Sequence, residues 1–424
     1  MTKGVDMTEA VTGTAIIVGA GHAAAELATH LRDNGWRGRI ILIGEEPTLP
    51  YHRPPLSKAY LCGAATTESL LIKPKTTFDQ ADVEFISGTR VSAIDRSACT
   101  IELAGGTTIH YDRLILATGG RPRRLPIPQI EQAQNANNFH YLRTLQDVER
   151  IRQQFEAGKR LVVIGGGYVG LEVAAVAVEV GLQVTVLEAL PRVLARVTAP
   201  ELSAFYLSRH RQAGVDIRTN CQVQGVRLTP CGGVVTAVLC ADGSCVPADL
   251  VVVGIGLVPN VELAVQAGLA VDDGIVVDEF GQTSDPNIYA AGDCTNHPNP
   301  ILGRRLRLES VPNALEQARC VAASLCGKPK AYASVPWFWS DQYQLKLKMV
   351  GLSQGYDQLV LRGAPETDSF AAFYLKDGQV LAVDTVNRAP EFMVAKRLIS
   401  ERIHVDPLRL ADDAIPVKDL LTRA

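Results

Sequence analysis

Two glycine clusters, each followed by an acid about two dozen residues later, are where residue type and spacing first suggest chemistry in this 424-residue chain. Gly19-Ala20-Gly21-His22-Ala23-Ala24 and Gly165-Gly166-Gly167-Tyr168-Val169-Gly170 both follow the pattern G-x-G-x-x-(G/A). Glu45 lies 26 residues after Gly19, and Glu188 lies 23 after Gly165. In this pattern the first glycine permits a tight turn, and the second lets the backbone approach a pyrophosphate. The third small residue, Ala24 or Gly170, lets helix and strand pack closely. Phosphates then meet the free N–H groups and positive dipole end of a helix, while the acid takes ribose hydroxyl donors. One such cluster is weak evidence, since glycines gather in many turns. Two, with different third residues, suggest two different dinucleotides. A third segment, Ile288-Tyr289-Ala290-Ala291-Gly292-Asp293, ends an apolar run in Gly-Asp. Asp293 there can accept hydrogen bonds from a polyol chain such as the ribityl of a flavin, or it can simply cap the following turn.

The elements needed to position these residues are present twice. Ala15–Val18 reads as a buried parallel strand, followed by a helix from Ala23 to Arg32, a stop at Gly35 and a strand over 40–43 that leads to Glu45. Residues 161–164, a helix through Glu172 to Val180, a stop at Gly181 and a strand over 184–187 leading to Glu188 repeat that order. Behind each copy, Asp112 opens an apolar run to Gly119, and Asp249 opens one to Gly256, with seven residues from Asp to Gly in both. Short alternating strands with glycine turns at Gly105-Gly106 and Asp242-Gly243 precede these runs. A helix is expected from Ala314 to Leu325. The plan is that of a duplicated dinucleotide-binding α/β protein.

Length suggests two or three domains. A net charge of -3 gives no global reason to expect nucleic acid or a membrane surface, and no apolar run approaches a bilayer-spanning length. Met1 to Thr14 lacks the basic start and apolar stretch of a signal peptide. Nine scattered cysteines and eight dispersed histidines show no metal-ligand spacing, so the expectation is free thiols in the cytosol and no metal site.

These segments, with Arg53-Pro54-Pro55-Leu56-Ser57-Lys58, Ser310-Val311-Pro312-Asn313-Ala314 and the more specific Pro336-Trp337-Phe338-Trp339-Ser340-Asp341-Gln342-Tyr343, resemble the pyridine-nucleotide disulfide oxidoreductase superfamily. Within it they resemble the NADH–ferredoxin reductases, over nearly the whole chain. The resemblance implies two Rossmann-like domains in a glutathione reductase-like fold plus a smaller α/β C-terminal domain. FAD would be held by residues 12–120 with 257–328, NAD by 121–256, and the last domain would span 331–424. FAD contacts carried over by position fall on Gly19, Gly21, Ala23, Ala24, Glu45, Lys58, Val91, Arg143, Asp293 and Val311. Gly165, Gly167, Gly170, Glu188 and Gly256 form the NAD set. Lys58 would lie beside the flavin and pair with Glu172.

The implied chemistry is hydride transfer from NADH to FAD, then single-electron transfer to a [2Fe–2S] ferredoxin that feeds a monooxygenase or dioxygenase. Disulfide or peroxide reductases on this fold keep a reactive cysteine on the first fingerprint helix, and this chain has none there. Cys62 is the nearest thiol in sequence, and Cys240 and Cys245, spaced C-x₄-C, read as a packed pair flanking a hairpin turn. A flavin-carrying binding protein is a third possibility. Gly303 to Lys330 holds six basic residues against two acids, and Arg319 is the residue favoured for contact with an acidic ferredoxin. Trp339 would lie between flavin and partner, or pack in the core.

Overall fold

The computed structural model describes residues 12–421, so the first eleven residues of the N-terminal reading lie outside the described residues. The chain divides into two compact units. One comprises the chain up to His52, Leu70–Arg121 and Pro259–Pro336; the other comprises Arg53–Ser69, Pro122–Val258 and the chain from Trp337 on.

The first unit is built on a five-stranded sheet in the order Ile288–Ala290, Arg113–Leu116, Ala15–Val18, Ile40–Ile43, Val83–Ile86. Every pairing in it is parallel. Two of its central strands, Ala15–Val18 and Ile40–Ile43, are continuous aliphatic runs buried along their whole length, as expected of strands covered on both faces. The helices His22–Asn34 and Val311–Leu325 pack together on one face, sharing a core with Ile17, Leu42 and Ile115. A three-stranded antiparallel sheet, Val91–Asp95, Thr100–Leu103 and Thr108–His110, helps cover the other face.

The second unit repeats the plan. Its parallel sheet runs Asp216–Arg218, Gln183–Leu187, Arg160–Ile164, Leu250–Val253, Phe139–Tyr141. An antiparallel trio, Val223–Leu228, Val235–Cys240 and Cys245–Pro247, accompanies it. The unit also carries a five-stranded antiparallel sheet in the order Trp337–Gln342, Leu345–Gly351, Gln379–Val386, Ser369–Lys376, Gln358–Ala364, with the helix Ala389–Ser400 against it. The two parallel sheets match except at one edge. There the first unit uses a strand from far downstream, and the second uses one that precedes its own glycine cluster.

Both fingerprint helices start directly after the second glycine, at His22 and Tyr168. That is earlier than the apolar pattern indicates, because neither first turn carries an apolar helical period: one is His22-Ala23-Ala24 and the other Tyr168-Val169-Gly170, with Val169 exposed. Each helix ends on a glycine in the left-handed region, Gly35 at φ 107° and Gly181 at φ 97°, where other residues are strained. Among the described residues, no helix is long and apolar enough to cross a membrane.

Candidate functional site

In the first unit, Gly19 turns the chain from strand to helix at φ +115°, and a Cβ there would sit 2.2 Å from the Ala117 carbonyl oxygen. Gly21 is the N-cap of His22–Asn34 with no side-chain cap, and that helix has no acid in its first turn. A Cβ added at Gly21 would meet nothing within 4 Å. Its N-terminus therefore presents backbone donors and a positive dipole end beside open space, the arrangement that receives phosphate. Ala23 and Ala24 are buried beneath it. Glu45 is exposed beyond the end of the second strand, 3.8 Å from Arg90, a basic neighbour that its sequence position did not reveal. Val91 is buried at the start of the antiparallel sheet. Asp293 is half-buried after Gly292, whose N–H donates to Gln317 Oε1 at 2.7 Å. Thr295 Oγ1 donates to the same oxygen at 2.9 Å, so Gln317 pins the Gly-Asp turn to the helix that opens at Val311. Ser310 caps that helix by accepting from the Asn313 N–H.

The second unit builds the same device with a tighter third position. Gly165 has φ +111°, and a Cβ there would lie 2.4 Å from the Gly254 carbonyl oxygen. Gly167 caps Tyr168–Val180 without a side-chain bond, again beside open space. A Cβ on Gly170 would fall 2.1 Å from the Gly165 carbonyl oxygen. Glu188 holds the loop: one carboxylate oxygen accepts from Gly166 N–H at 2.6 Å, the other from Leu190 N–H at 2.8 Å. Gly256 accepts from the Arg123 N–H and takes φ +113°.

Lys58 and Glu172, 114 positions apart, meet in the second unit. Lys58 Nζ lies 2.8 Å from Glu172 Oε1, and the Glu172 side chain is 4% exposed. Ser57 Oγ donates to Oε2 and Ser340 Oγ to Oε1, both at 2.6 Å. Burial pushes the Glu172 carboxyl up, against the pull of Lys58 and the two serines. Ser340 comes from the first strand of the antiparallel sheet, so the W-F-W-S segment supplies a donor as well as aromatic packing. Trp339, on the same strand, is half-buried with ring centroids of Trp337 and Phe338 at 5.7 and 6.1 Å. On the opposite strand face Phe338 meets Tyr168, beside the second glycine cluster, at 5.2 Å. Arg143 accepts from Arg53 Nη1 through its carbonyl oxygen at 2.6 Å. Lys58, Arg143 and Trp339 thus belong to the second unit, and the other residues expected at FAD belong to the first.

Residues 13–318 match the family described as Pyridine nucleotide-disulphide oxidoreductase, and residues 337–421 match the one described as Reductase C-terminal. The chain belongs to the pyridine nucleotide-disulphide oxidoreductase family. It is 53% identical over 409 residues to putidaredoxin reductase CamA of Pseudomonas putida, covering 96% of this chain and 97% of that one. Rhodocoxin reductase of Rhodococcus erythropolis is 43% identical over 408 residues, covering 96% and 94%. The crystal structure of the covalent putidaredoxin reductase–putidaredoxin complex superposes with a TM-score of 0.93 at 52% identity, covering 96% of this chain and 98% of the matched chain.

For a member of this family the cysteines are telling. Among the described residues all nine are free thiols, and none lies on the first fingerprint helix. Cys62 is exposed. Cys240 and Cys245 are not the packed pair that their spacing suggested: Cys240 is buried, while Cys245 sits opposite Leu239 and is exposed. The buried partner of Cys240 is Cys221, whose thiol is pushed up to about 12 by burial and by that neighbour. Among the described residues no group of three or more His, Cys, Asp or Glu is placed to hold a metal ion.

Much of the positive charge over Gly303–Lys330 is already engaged. Arg319 Nε donates at 2.7 Å to Glu26, a buried carboxylate that Lys73 also approaches at 3.2 Å. Arg305 donates to the carbonyls of Val277 and Asn296, and Arg307 pairs with Asp273 and Glu309. About half of the Arg319 side chain remains exposed.

Proposed function

We infer that the chain is an NADH-dependent ferredoxin reductase, passing reducing equivalents from NADH through FAD to a [2Fe–2S] ferredoxin. The carrying observation is the pair of open helix N-termini, each on its own parallel sheet with an acid beyond the adjacent strand, and no thiol on the first helix. The relatives support this reading by name: putidaredoxin reductase, rhodocoxin reductase and the anthranilate 1,2-dioxygenase system ferredoxin–NAD(+) reductase component of Burkholderia cepacia. The flavin supplies the chemistry the reaction needs, since it takes two electrons together and releases them singly.

We assign FAD to residues 12–120 with 257–328, NAD to 121–256, and a C-terminal domain to 331–424. Gly19, Gly21, Ala23 and Ala24 form the FAD phosphate turn, Glu45 takes its ribose, and Asp293 and Val311 mark the ribityl and helix-end contacts. Val91, Lys58 and Arg143 complete the FAD set. Gly165, Gly167 and Gly170 form the NAD phosphate turn with Glu188 and Gly256. The Lys58–Glu172 pair is the charged device that orients groups for hydride transfer, a contribution of positioning rather than covalent chemistry. Trp339 is assigned to the electron-exit side, and exposed Arg319 to ferredoxin contact. Nine cysteines kept as thiols fit a reducing cytosol.

Ferredoxin-dependent cytochrome reduction by purified holoenzyme and NADH tests this. Rates should require added ferredoxin and stay within about a few fold in Cys62→Ser, since no thiol step is used. Rapid disulfide or peroxide reduction that disappears in Cys62→Ser would overturn the reading.

A further inference from the structure

Behind Glu172 runs a chain of side chains that the proposed reaction does not explain. Ser340 Oγ, which donates to Glu172, receives Gln342 Nε2 at 3.1 Å. Gln342 Oε1 lies 2.8 Å from His210 Nε2, and His210 Nδ1 lies 2.9 Å from Tyr343 Oη. Ser340, Gln342 and His210 are buried, His210 completely. Tyr343, where the chain ends, sits in the turn after the strand Trp337–Gln342 at φ +54°, left-handed backbone that a bulky residue seldom adopts.

The donors can be assigned. Gln342 Oε1 only accepts, so His210 Nε2 carries the proton. Burial holds the imidazole below its ordinary pKa and therefore neutral near pH 7, which leaves Nδ1 bare to accept from the Tyr343 hydroxyl. Gln342 then has its NH₂ toward Ser340, whose oxygen is occupied as an acceptor and whose proton goes to Glu172. Every donor points toward the carboxylate. With the imidazole gone, the Gln342 amide is free to turn over and offer its oxygen to Ser340, drawing the hydroxyl proton off Glu172.

We propose that His210 is a positioning residue which, by requiring the Gln342 carbonyl, locks that amide and commits the Ser340 hydroxyl to Glu172. The consequence is a carboxylate kept ionised in a buried position, facing Lys58. Lys58 is the charged group against it, and Tyr206 on the helix Pro200–Gln212 is its titratable neighbour. Relevance to hydride transfer rests on the role proposed above for the Lys58–Glu172 pair; the direction of the chain does not.

The test uses holoenzyme with FAD content checked. The infrared carboxyl band of Glu172, identified by its loss in Glu172→Gln, is titrated in the wild type, His210→Phe, His210→Gln, Ser340→Ala and the His210→Phe/Ser340→Ala double variant. Loss of one hydrogen bond to a carboxylate should raise the midpoint by about one unit in His210→Phe and in Ser340→Ala. The double variant should show no further shift, because His210 acts through Ser340. His210→Gln, which retains a donor for Gln342, should stay close to the wild type. An unchanged midpoint in His210→Phe, or shifts that add in the double variant, would overturn the proposal. Should His210→Phe not fold, nitrogen NMR of the wild-type His210 decides: an Nε2–H tautomer supports the chain and an Nδ1–H tautomer refutes it. The pH profile of flavin reduction by NADH separates the two claims. If the Glu172 midpoint moves and that profile does not, the chain stands and the role given to the Lys58–Glu172 pair falls.

Discussion

Gly170→Ala places a methyl group where the turn before Tyr168–Val180 leaves no room for one. The added methyl would lie 2.1 Å from the Gly165 carbonyl oxygen, 3.2 Å from its carbon and 3.3 Å from Val163 Cγ1, where ordinary contact begins at 3.4 Å. The obstacle is backbone at the turn itself, so no side chain can swing aside. The helix must move out by about 1 Å or the turn must deform, and overpacking of this kind costs about 1–3 kcal/mol. The moving part is the N-terminus of Tyr168–Val180, to which the proposed function assigns the NAD phosphates. If most of that cost is felt in binding, NAD⁺ affinity falls by about 5- to 150-fold. Calorimetric titration of holoenzyme with NAD⁺ measures this without turnover, and FAD content is the internal control. The first site tolerates the same methyl, since Ala24 is fully buried at the corresponding position. Unchanged NAD⁺ affinity with an unchanged unfolding midpoint would refute the packing argument and the assignment of the turn together.

Three further outcomes are expected. Glu188→Gln gives up one of two carboxylate bonds to the loop and the charge that opposes a 2′-phosphate; kcat/KM for NADPH relative to NADH should rise about tenfold or more, and equal ratios before and after would remove Glu188 from cofactor choice. Asp293→Ala should weaken FAD retention by about 1.5–3 kcal/mol, read as flavin release on dilution, while unaltered retention would assign Asp293 to the turn alone. Asp384, buried with its carboxylate accepting from Thr198 and Tyr374, is pushed up to about 6 by burial. Its folded-state value lies above the unfolded one, so its contribution is full below about pH 4 and is lost as pH rises through about 6, at most ~3 kcal/mol. Asp384→Asn should shrink the fall in unfolding midpoint between pH 5 and 7.5, a comparison that a silent Asp384 would leave untouched.

The two glycine turns and the helices they open were legible because their signals are local. Gly19 and Gly165 need backbone that glycine alone adopts easily, and the glycine stops at 35 and 181 announce themselves in the same way. Glu172 shows the limit. Its position after the second cluster could be read, but its donors Ser57 and Ser340 lie 115 and 168 residues away, and nothing in a run of sequence links them. His210 looked like any helix histidine until the fold placed Gln342 and Tyr343 on its two nitrogens. Charge counting along Gly303–Lys330 had the same weakness, since the acid that engages Arg319 is 293 residues upstream. Cys240 and Cys245 flank one turn, yet the strand pleat sends them to opposite faces and brings Cys221 to Cys240 instead. The edge strand Phe139–Tyr141 was missed because three residues carry too little alternation to register.

The unequal edge strands also set an order of synthesis. The first parallel sheet opens at Ala15 but lacks its last strand until Ala290 has been made, whereas the second needs only the chain between Phe139 and Val253. A ribosome therefore delivers every strand of the second sheet while the earlier-begun sheet still has an open flank at Arg113–Leu116. Domains generally fold as units during translation, and exposed sheet edges invite wrong pairing. The apolar strand Ala15–Val18 and its neighbours must wait through some 170 further residues after Leu116, by the interval from Leu116 to Ile288, before that flank closes. Truncations ending before Ile288 should thus yield insoluble chains even though both glycine clusters are complete, and adding the segment through Leu325 should restore solubility.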